Sequence, residues 1–192
     1  SAAELFSAKG YAGTTVREIV ERAGVTKPAL YYYFRSKEGI YLDLMRPPLK
    51  GFTEQIESAA REKGTSRERI TRLCLRSYDD FIRNLPIARI LFSFYYGPPQ
   101  GAPHIDFDAV HLRFQEVVIR LLKEGIRGGE FRRGDPADMM WAVAGAVNVA
   151  MELELCRPGQ SIGRGGIVRM LGIIFDGIAG SGRGATGKGK KV

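Results

Sequence analysis

Apolar residues recur at spacings of three and four along almost the whole chain, while the strict alternation of a half-buried strand is nearly absent. The pattern predicts an all-α protein of about nine helices. An opening helix runs to Lys9 and stops at Gly10; it has neither a cap nor an initiating Met, so residues upstream of Ser1 are expected. Thr15 to Glu18 reads as a capping box, in which the threonine hydroxyl and the glutamate carboxylate satisfy orphan helix amides reciprocally. The helix that it opens turns Val16, Ile19, Val20 and Ala23 inward. Gly24 supplies a left-handed turn, Thr26 caps a short third helix with Pro28 in its first turn, and Ser36 caps a fourth. Pro47 and Pro48 are expected to bend or interrupt that fourth helix.

The later helices are longer. A second capping box, Thr65 to Glu68, precedes a stripe of Ile70, Leu73, Cys74, Ser77 and Phe81. An aromatic segment, Ile87 to Tyr96, follows Pro86 and ends in a Gly/Pro-rich loop. A helix from about Ile105 to Ile126 buries Val110, Phe114, Val117 and Leu121. Asp135 and Pro136 start the next, which reaches Cys156, and a last helix spans about Ile162 to Ala179. No internal repeat or long linker separates these parts. The division expected is 1–46, a three-helix domain; 47–180, a larger helical domain; and 181–192, a basic flexible tail.

The candidate chemistry lies between Thr14 and Glu38. Two short helices joined by a tight glycine turn are the requirements of a helix-turn-helix, whose second helix enters the major groove of DNA. Tyr31, Tyr32 and Tyr33 are consecutive, so at ~100° per residue they fan over ~200° of the second helix and cannot all be core. Exposed phenols beside Lys27, Arg35 and Lys37 suit phosphate and base-edge contact; one tyrosine is expected to pack on the preceding helix.

The stretch TTVREIVERAGVTKPALYYYFRSKE, Thr14 to Glu38, resembles the tetracycline-repressor (TetR) family: a threonine-capped helix, an Ala-Gly-Val turn, Leu-Tyr-x-x-Phe and then Ser-Lys-Glu. Leu5, Phe6, Gly10 and Tyr11 fit upstream. Leu122 to Ile126, Gly129 to Arg132 and Gly134 to Pro136 resemble a recurrent feature of that family's regulatory domains. By position, the resemblance implies that Thr15 caps its helix and touches phosphate and that Arg17 reaches a base edge. Thr26, Lys27, Pro28 and Ala29 would line the start of the recognition helix. Tyr31 and Tyr32 would contact phosphate or a thymine methyl, Tyr33 stands where relatives often carry histidine, and Lys37 would clamp the DNA backbone. The implied partners are a pseudo-palindromic operator in double-stranded DNA, a second copy of the chain, and a small-molecule effector that releases a repressor from DNA. A regulator whose larger half only dimerises is the alternative.

The larger half agrees with a dimer. The helix from Asp135 is apolar nearly all round, so one face can fill the protomer core while another needs separate cover. Ala142, Ala146 and Ala150 form a smooth ridge, and Ile167, Leu171, Ile174 and Ile178 a line on the last helix; these seven are the expected interface. The expected ligand pocket draws on the aromatic-rich middle helices: Tyr78, Phe81, Phe92, Tyr95, Tyr96, Phe107, His111 and Phe114.

Enzymatic function is disfavoured. No Ser/His/Asp or Cys/His arrangement, metal-ligand spacing or phosphate loop occurs, the glycines from Gly163 to Gly166 follow no strand, and no cofactor is expected. Cys74 and Cys156 read as small core residues in a reducing cytoplasm. No signal peptide is visible. The longest apolar run, Met139 to Met151, is broken by Asn148 and falls short of the ~20 residues that a bilayer span needs, so no membrane partner is expected. The net charge of +8 suits a polyanionic partner, although Arg183, Lys188, Lys190 and Lys191, half of that excess, sit in the glycine-rich tail.

Overall fold

A computed structural model describes residues 1–97 and 99–180; the expected basic tail, 181–192, lies outside the described residues. The described residues form nine α-helices: α1 (Ala2–Gly13), α2 (Val16–Ala23), α3 (Lys27–Phe34), α4 (Lys37–Ala59), α5 (Ser66–Arg83), α6 (Leu85–Tyr96), α7 (Phe107–Arg127), α8 (Pro136–Cys156) and α9 (Gly163–Gly177), with a 3-10 turn at Pro158–Gln160. An isolated antiparallel bridge joins Phe131 to Ala179.

The helix starts are those the capping residues encode. Both capping boxes form, with Thr15 and Thr65 accepting from the amides of Glu18 and Glu68, whose carboxylates in turn accept from the threonine amides. Gly10, at φ 72°, breaks the helical path, but α1 resumes beyond it to Gly13. Pro47 and Pro48 do not end α4, which runs through them to Ala59. The expected boundary at 46/47 therefore falls inside one continuous helix.

Two apolar cores form. The larger gathers Ile70, Leu73, Cys74 and Tyr78 of α5, Val117, Val118, Leu121 and Leu122 of α7, the inner face of α8, and Ile167, Leu171 and Phe175 of α9. α5 is its axis, packed against α4, α7, α8 and α9. The smaller joins Leu5, Phe6, Ile19, Val20, Leu30, Ile40, Tyr41 and Met45 to Ile87 and Ile90 of α6 and Phe107 of α7. The N-terminal helices thus share a core with elements more than forty residues downstream in sequence, and α6 lies along α1.

Of the two cysteines expected in the core, one is and one is not. Cys74 is buried, and burial pushes its thiol up to about 12, but Cys156 is exposed, because α8 has left the core by its last turn. α8, with 21 residues, is also long and apolar enough by length and composition to cross a membrane. Its Met139, Met140, Val143, Ala144, Val147 and Ala150 instead fill the larger core.

The start of α5 is held from a distance. The Glu130 carboxylate accepts from the amides of Ser66 at 2.8 Å and Arg67 at 2.9 Å, adding an anion to the helix N-terminus that Thr65 also caps. Replacing Glu130 by Ala is expected to cost about 1–2 kcal/mol, the range of a lost cap. Urea unfolding checks this; an unchanged midpoint would mean that water replaces the carboxylate without loss.

Candidate DNA-binding site and apolar surface

The turn between α2 and α3 is set by Gly24, whose φ of 67° is a left-handed conformation that side chains disfavour. Thr26 then caps α3 through the Ala29 amide at 3.3 Å. Within α3, Leu30 points into the smaller core and Phe34 is half-buried. The rest of its surface is exposed. Tyr32 and Tyr33 are 82% and 73% exposed and Tyr31 is 44% exposed, so Tyr31 is the one of the three with more than half of its surface covered. Thr15, Arg17, Thr26, Lys27, Pro28 and Ala29 are exposed as well. Arg17 lies along its own helix, Nε donating to the Glu21 carboxylate at 2.7 Å, a surface pair weak enough to be exchanged for a base edge or phosphate.

Lys37 is the exception. Its ammonium donates to the carbonyls of Tyr11 at 2.9 Å and Thr14 at 3.0 Å and sits 4.2 Å from the centre of the Tyr11 ring. It therefore caps the carbonyls at the end of α1, that of Tyr11 alongside the Thr14 amide, and balances that helix's negative pole, rather than reaching outward as a free backbone clamp. The α3–α4 joint beneath is tight. Arg35 adopts a φ of 54°, Ser36 accepts from the Gly39 amide at 3.0 Å, and a Cβ on Gly39 would lie 2.2 Å from the Phe34 carbonyl oxygen. Glu18 is fixed too: an ion pair with Lys9, and then bonds from the Thr15 amide and hydroxyl, hold its carboxyl down to about 2. Neither the Lys37 tie nor the Lys9 pair has a local sequence signal, since the partners are 26 and 9 residues away.

The expected pocket residues are not gathered around one cavity. Phe107 belongs to the smaller core, and Tyr78 to the larger, where its hydroxyl meets Glu154. Phe81 and Phe92 are half-buried, the latter 4.6 Å from the exposed Tyr96 ring. Tyr95 is exposed; its hydroxyl donates to Asp108 at 2.8 Å and lies 3.4 Å from Nδ1 of His111, which is exposed too. Phe107 meets Phe94 and Tyr95 of α6 at 5.9 and 6.3 Å, and Phe114 meets Phe52 of α4 at 6.3 Å, a residue missed from sequence. Consecutive aromatics on α6 diverge by about 100° each, and those expected residues that do meet gather at the exposed Tyr95, 6.5 Å from Tyr96, 6.3 Å from Phe107 and 5.7 Å from His111.

The expected interface is corrected in the same way. Ala142 is exposed and Ala146 and Ile174 are half-buried, but Ala150, Ile167, Leu171 and Ile178 are buried in the protomer's own core. An i, i+4, i+8 ridge drifts ~40° per step, so it starts outside α8 and ends inside. The apolar residues left uncovered are Trp141 (58% exposed) and Val149 on α8 with Val168 and Ile173 (74%) on α9, interspersed with Ala142 and Gly145. Large apolar side chains on adjoining helices form the kind of patch that marks an interaction surface.

Two short helices around a glycine turn, with the outer face of the second fully open, define a helix-turn-helix DNA-binding protein. Residues 1–44 match the family model described as bacterial regulatory proteins, tetR family. The fatty acid metabolism regulator protein of Bacillus subtilis is 24% identical over 134 residues, 70% of this chain and 69% of that one. Among solved structures, the TetR family transcriptional regulator PfmR from Thermus thermophilus superposes with a TM-score of 0.72 at 28% identity, covering 91% of this chain and 94% of that one. The transcriptional regulator FadR from Bacillus subtilis in complex with stearoyl-CoA superposes at 0.67 with 20% identity, over 92% and 95% of the two chains, a likeness of fold. Residues 1–44 are thus similar to the DNA-binding domain of the tetR family, and the chain as a whole shares the fold of a TetR family transcriptional regulator.

If Lys37 ties α1 to α4, replacing it by Met should lower stability by about 1–3 kcal/mol, the range for a charge-assisted bond to a buried acceptor. Chemical denaturation in the absence of DNA decides: a residue that only clamps phosphate would leave the midpoint where it was.

Proposed function

We propose that this protein is a homodimeric repressor that binds a pseudo-palindromic operator through α3 and is released by a small apolar effector held among the middle helices. The observation that carries the DNA reading is the open face of α3, with three exposed tyrosines following Lys27, Pro28 and Ala29, on a helix anchored by Leu30. Thr15, Arg17, Thr26, Lys27, Tyr31, Tyr32 and Tyr33 form the contact surface. Lys37 joins it only if it gives up its two carbonyls.

A dimer supplies the second recognition helix, and α8 and α9 supply the dimer. Trp141, Ala142, Gly145, Val149, Val168 and Ile173 are its contact residues, a hydrophobic surface on two adjacent helices that a copy of itself would cover. Replacing Ile173 by Asp should yield monomers that retain the protomer fold, because this side chain packs against little in its own chain. Sedimentation that still finds a dimer would move the interface elsewhere.

The effector reading rests on the shared core. α6 packs on α1 and contributes Ile87 and Ile90 beneath the helix-turn-helix, and α4 enters both cores. A ligand that spreads α4, α5 and α7, near Phe52 and Phe114, has a direct mechanical route to both recognition helices of the dimer, which must match a groove repeat of ~34 Å. The fatty acid regulator and the stearoyl-CoA complex among the relatives favour a long acyl group as the apolar part.

The test begins with duplexes selected from random sequence. Wild type should prefer its selected operator by at least a hundredfold over unrelated DNA of equal length, and Tyr32→Ala should weaken operator binding while leaving stability within ~0.5 kcal/mol. Equal affinity for selected and random duplexes would end the reading. For the effector, a hundredfold loss of operator affinity requires ~2.7 kcal/mol of coupling, and operator must weaken effector binding by the same factor. Calorimetry with stearoyl-CoA, with and without operator, measures both; identical affinities would show a bound molecule that is no switch.

A further inference from the structure

The outer face of α7 carries a feature that neither DNA binding nor dimerisation uses. Arg120, Lys123 and Arg127 recur at i, i+3 and i+7, one stripe of the helix, and all three are exposed with no carboxylate among the described residues in ion-pair contact. Every arginine of α5, by contrast, is engaged: Arg67 by Asp176, Arg69 by Glu124, Arg72 and Arg76 by Glu62, and Arg83 by Asp80. Arg113, on α7 itself, is held by Glu57 and Glu116. The three cations of the stripe border an open groove of about 600 Å3 between α7 and the start of α8, with Ile119, Ile126 and Pro136 as its apolar lining. Glu116, the carboxylate among its lining residues, is taken up by Arg113 Nη1 at 2.8 Å. Ile119 and Ile126 also pack on the larger core, so the groove floor is the outer edge of the protein interior.

An apolar floor with a cationic rim fits a molecule that is apolar at one end and multiply anionic at the other. We infer that this groove binds the phosphorylated end of an acyl-coenzyme A, with Arg120, Lys123 and Arg127 contacting its diphosphate and 3′-phosphate while the acyl chain enters the interior beside Ile119 and Ile126. A free fatty acid has a single carboxylate and would leave most of the rim without a counter-charge; a guanidinium, by contrast, meets a phosphoryl group in a two-point fork. This assignment rests on the effector reading above and narrows its chemical class.

Stearoyl-CoA, stearate and free coenzyme A are titrated into the full chain and into Arg120→Gln/Lys123→Gln/Arg127→Gln, with circular dichroism as the control for folding. Wild type should bind stearoyl-CoA roughly tenfold more tightly than stearate, the sum of three exposed charge contacts. The triple variant should lose that advantage, keep its stearate affinity and operator binding, and show a flatter dependence on salt. Arg127→Glu alone should move in the same direction, which keeps the test decisive if the triple variant folds poorly. Stearoyl-CoA affinity and salt slope unchanged in the variants would overturn the groove assignment and leave the effector reading standing, provided that the ligand still releases operator. Loss of non-operator DNA binding in the triple variant, with stearoyl-CoA affinity intact, would reassign the stripe to nucleic acid. Failure of wild type to bind either acyl probe would end both readings.

Discussion

The helix-turn-helix of this protein cannot bury itself. Three short helices of about 45 residues lie near the size below which a chain needs outside help to hold a core. Here the help comes from the regulatory half: Ile87, Ile90 and Phe107 complete a cluster whose N-terminal members, Phe6, Tyr41 and Met45, are almost wholly inaccessible. The orientation of α3 is consequently a property of the whole chain. Leu30 can anchor a helix that spends three consecutive tyrosines on the outside only because the layer beneath it is closed by α1, α4 and α6. The same dependence would serve the proposed effector control, since a shift of α6 would change the surface on which α1 rests with no dedicated relay.

Helix ends follow the same logic at a smaller scale. Thr15, Thr26, Ser36 and Thr65 cap their own helices, and those starts are written locally, within four residues. The end of α1 and the start of α5 are completed by Lys37 and Glu130, groups 26 and 64 residues along the chain from Tyr11 and Ser66. Local caps are legible in a sequence because the geometry that makes them is fixed by spacing. Long-range caps are not, because an isolated lysine or glutamate looks like any other solvated charge until the fold brings a helix end to it. This is how Lys37, read by position as a phosphate clamp, is found holding two backbone carbonyls instead.

The same distinction separates what could be read of the site from what could not. The helix-turn-helix was legible almost residue by residue, since glycine, threonine and proline at fixed offsets dictate two helices and a turn whatever surrounds them. The all-α architecture and the helix starts followed from periodicity. The interface and pocket were legible only as elements. α8 is recognisable as a helix with too many apolar faces for one core, but which face turns outward depends on a rotation about its axis that periodicity leaves open. Ala150, Ile167 and Leu171 went inward; Trp141, Val149 and Ile173 came out. Aromatic richness in α6 and α7 likewise marked a region, not a cavity, and its members divided among two cores and the solvent.

What remains outside after both cores are filled is therefore the informative part of the surface. The tyrosines of α3, the apolar strip of α8 and α9, and the cationic stripe of α7 are each costly or idle in an isolated protomer. Exposed apolar area invites association, and three like charges on one helix stripe repel one another by a few tenths of a kcal/mol per pair. A chain that pairs every arginine of α5, and closes a second core to keep α3 in place, has the means to neutralise these three features. The proposed readings give each a different partner: a polyanionic duplex, a second copy of the same two helices, and a ligand with phosphate at one end. Because the three surfaces lie on helices that pack into one connected pair of cores, a partner on any one of them would have a route to the other two through packing.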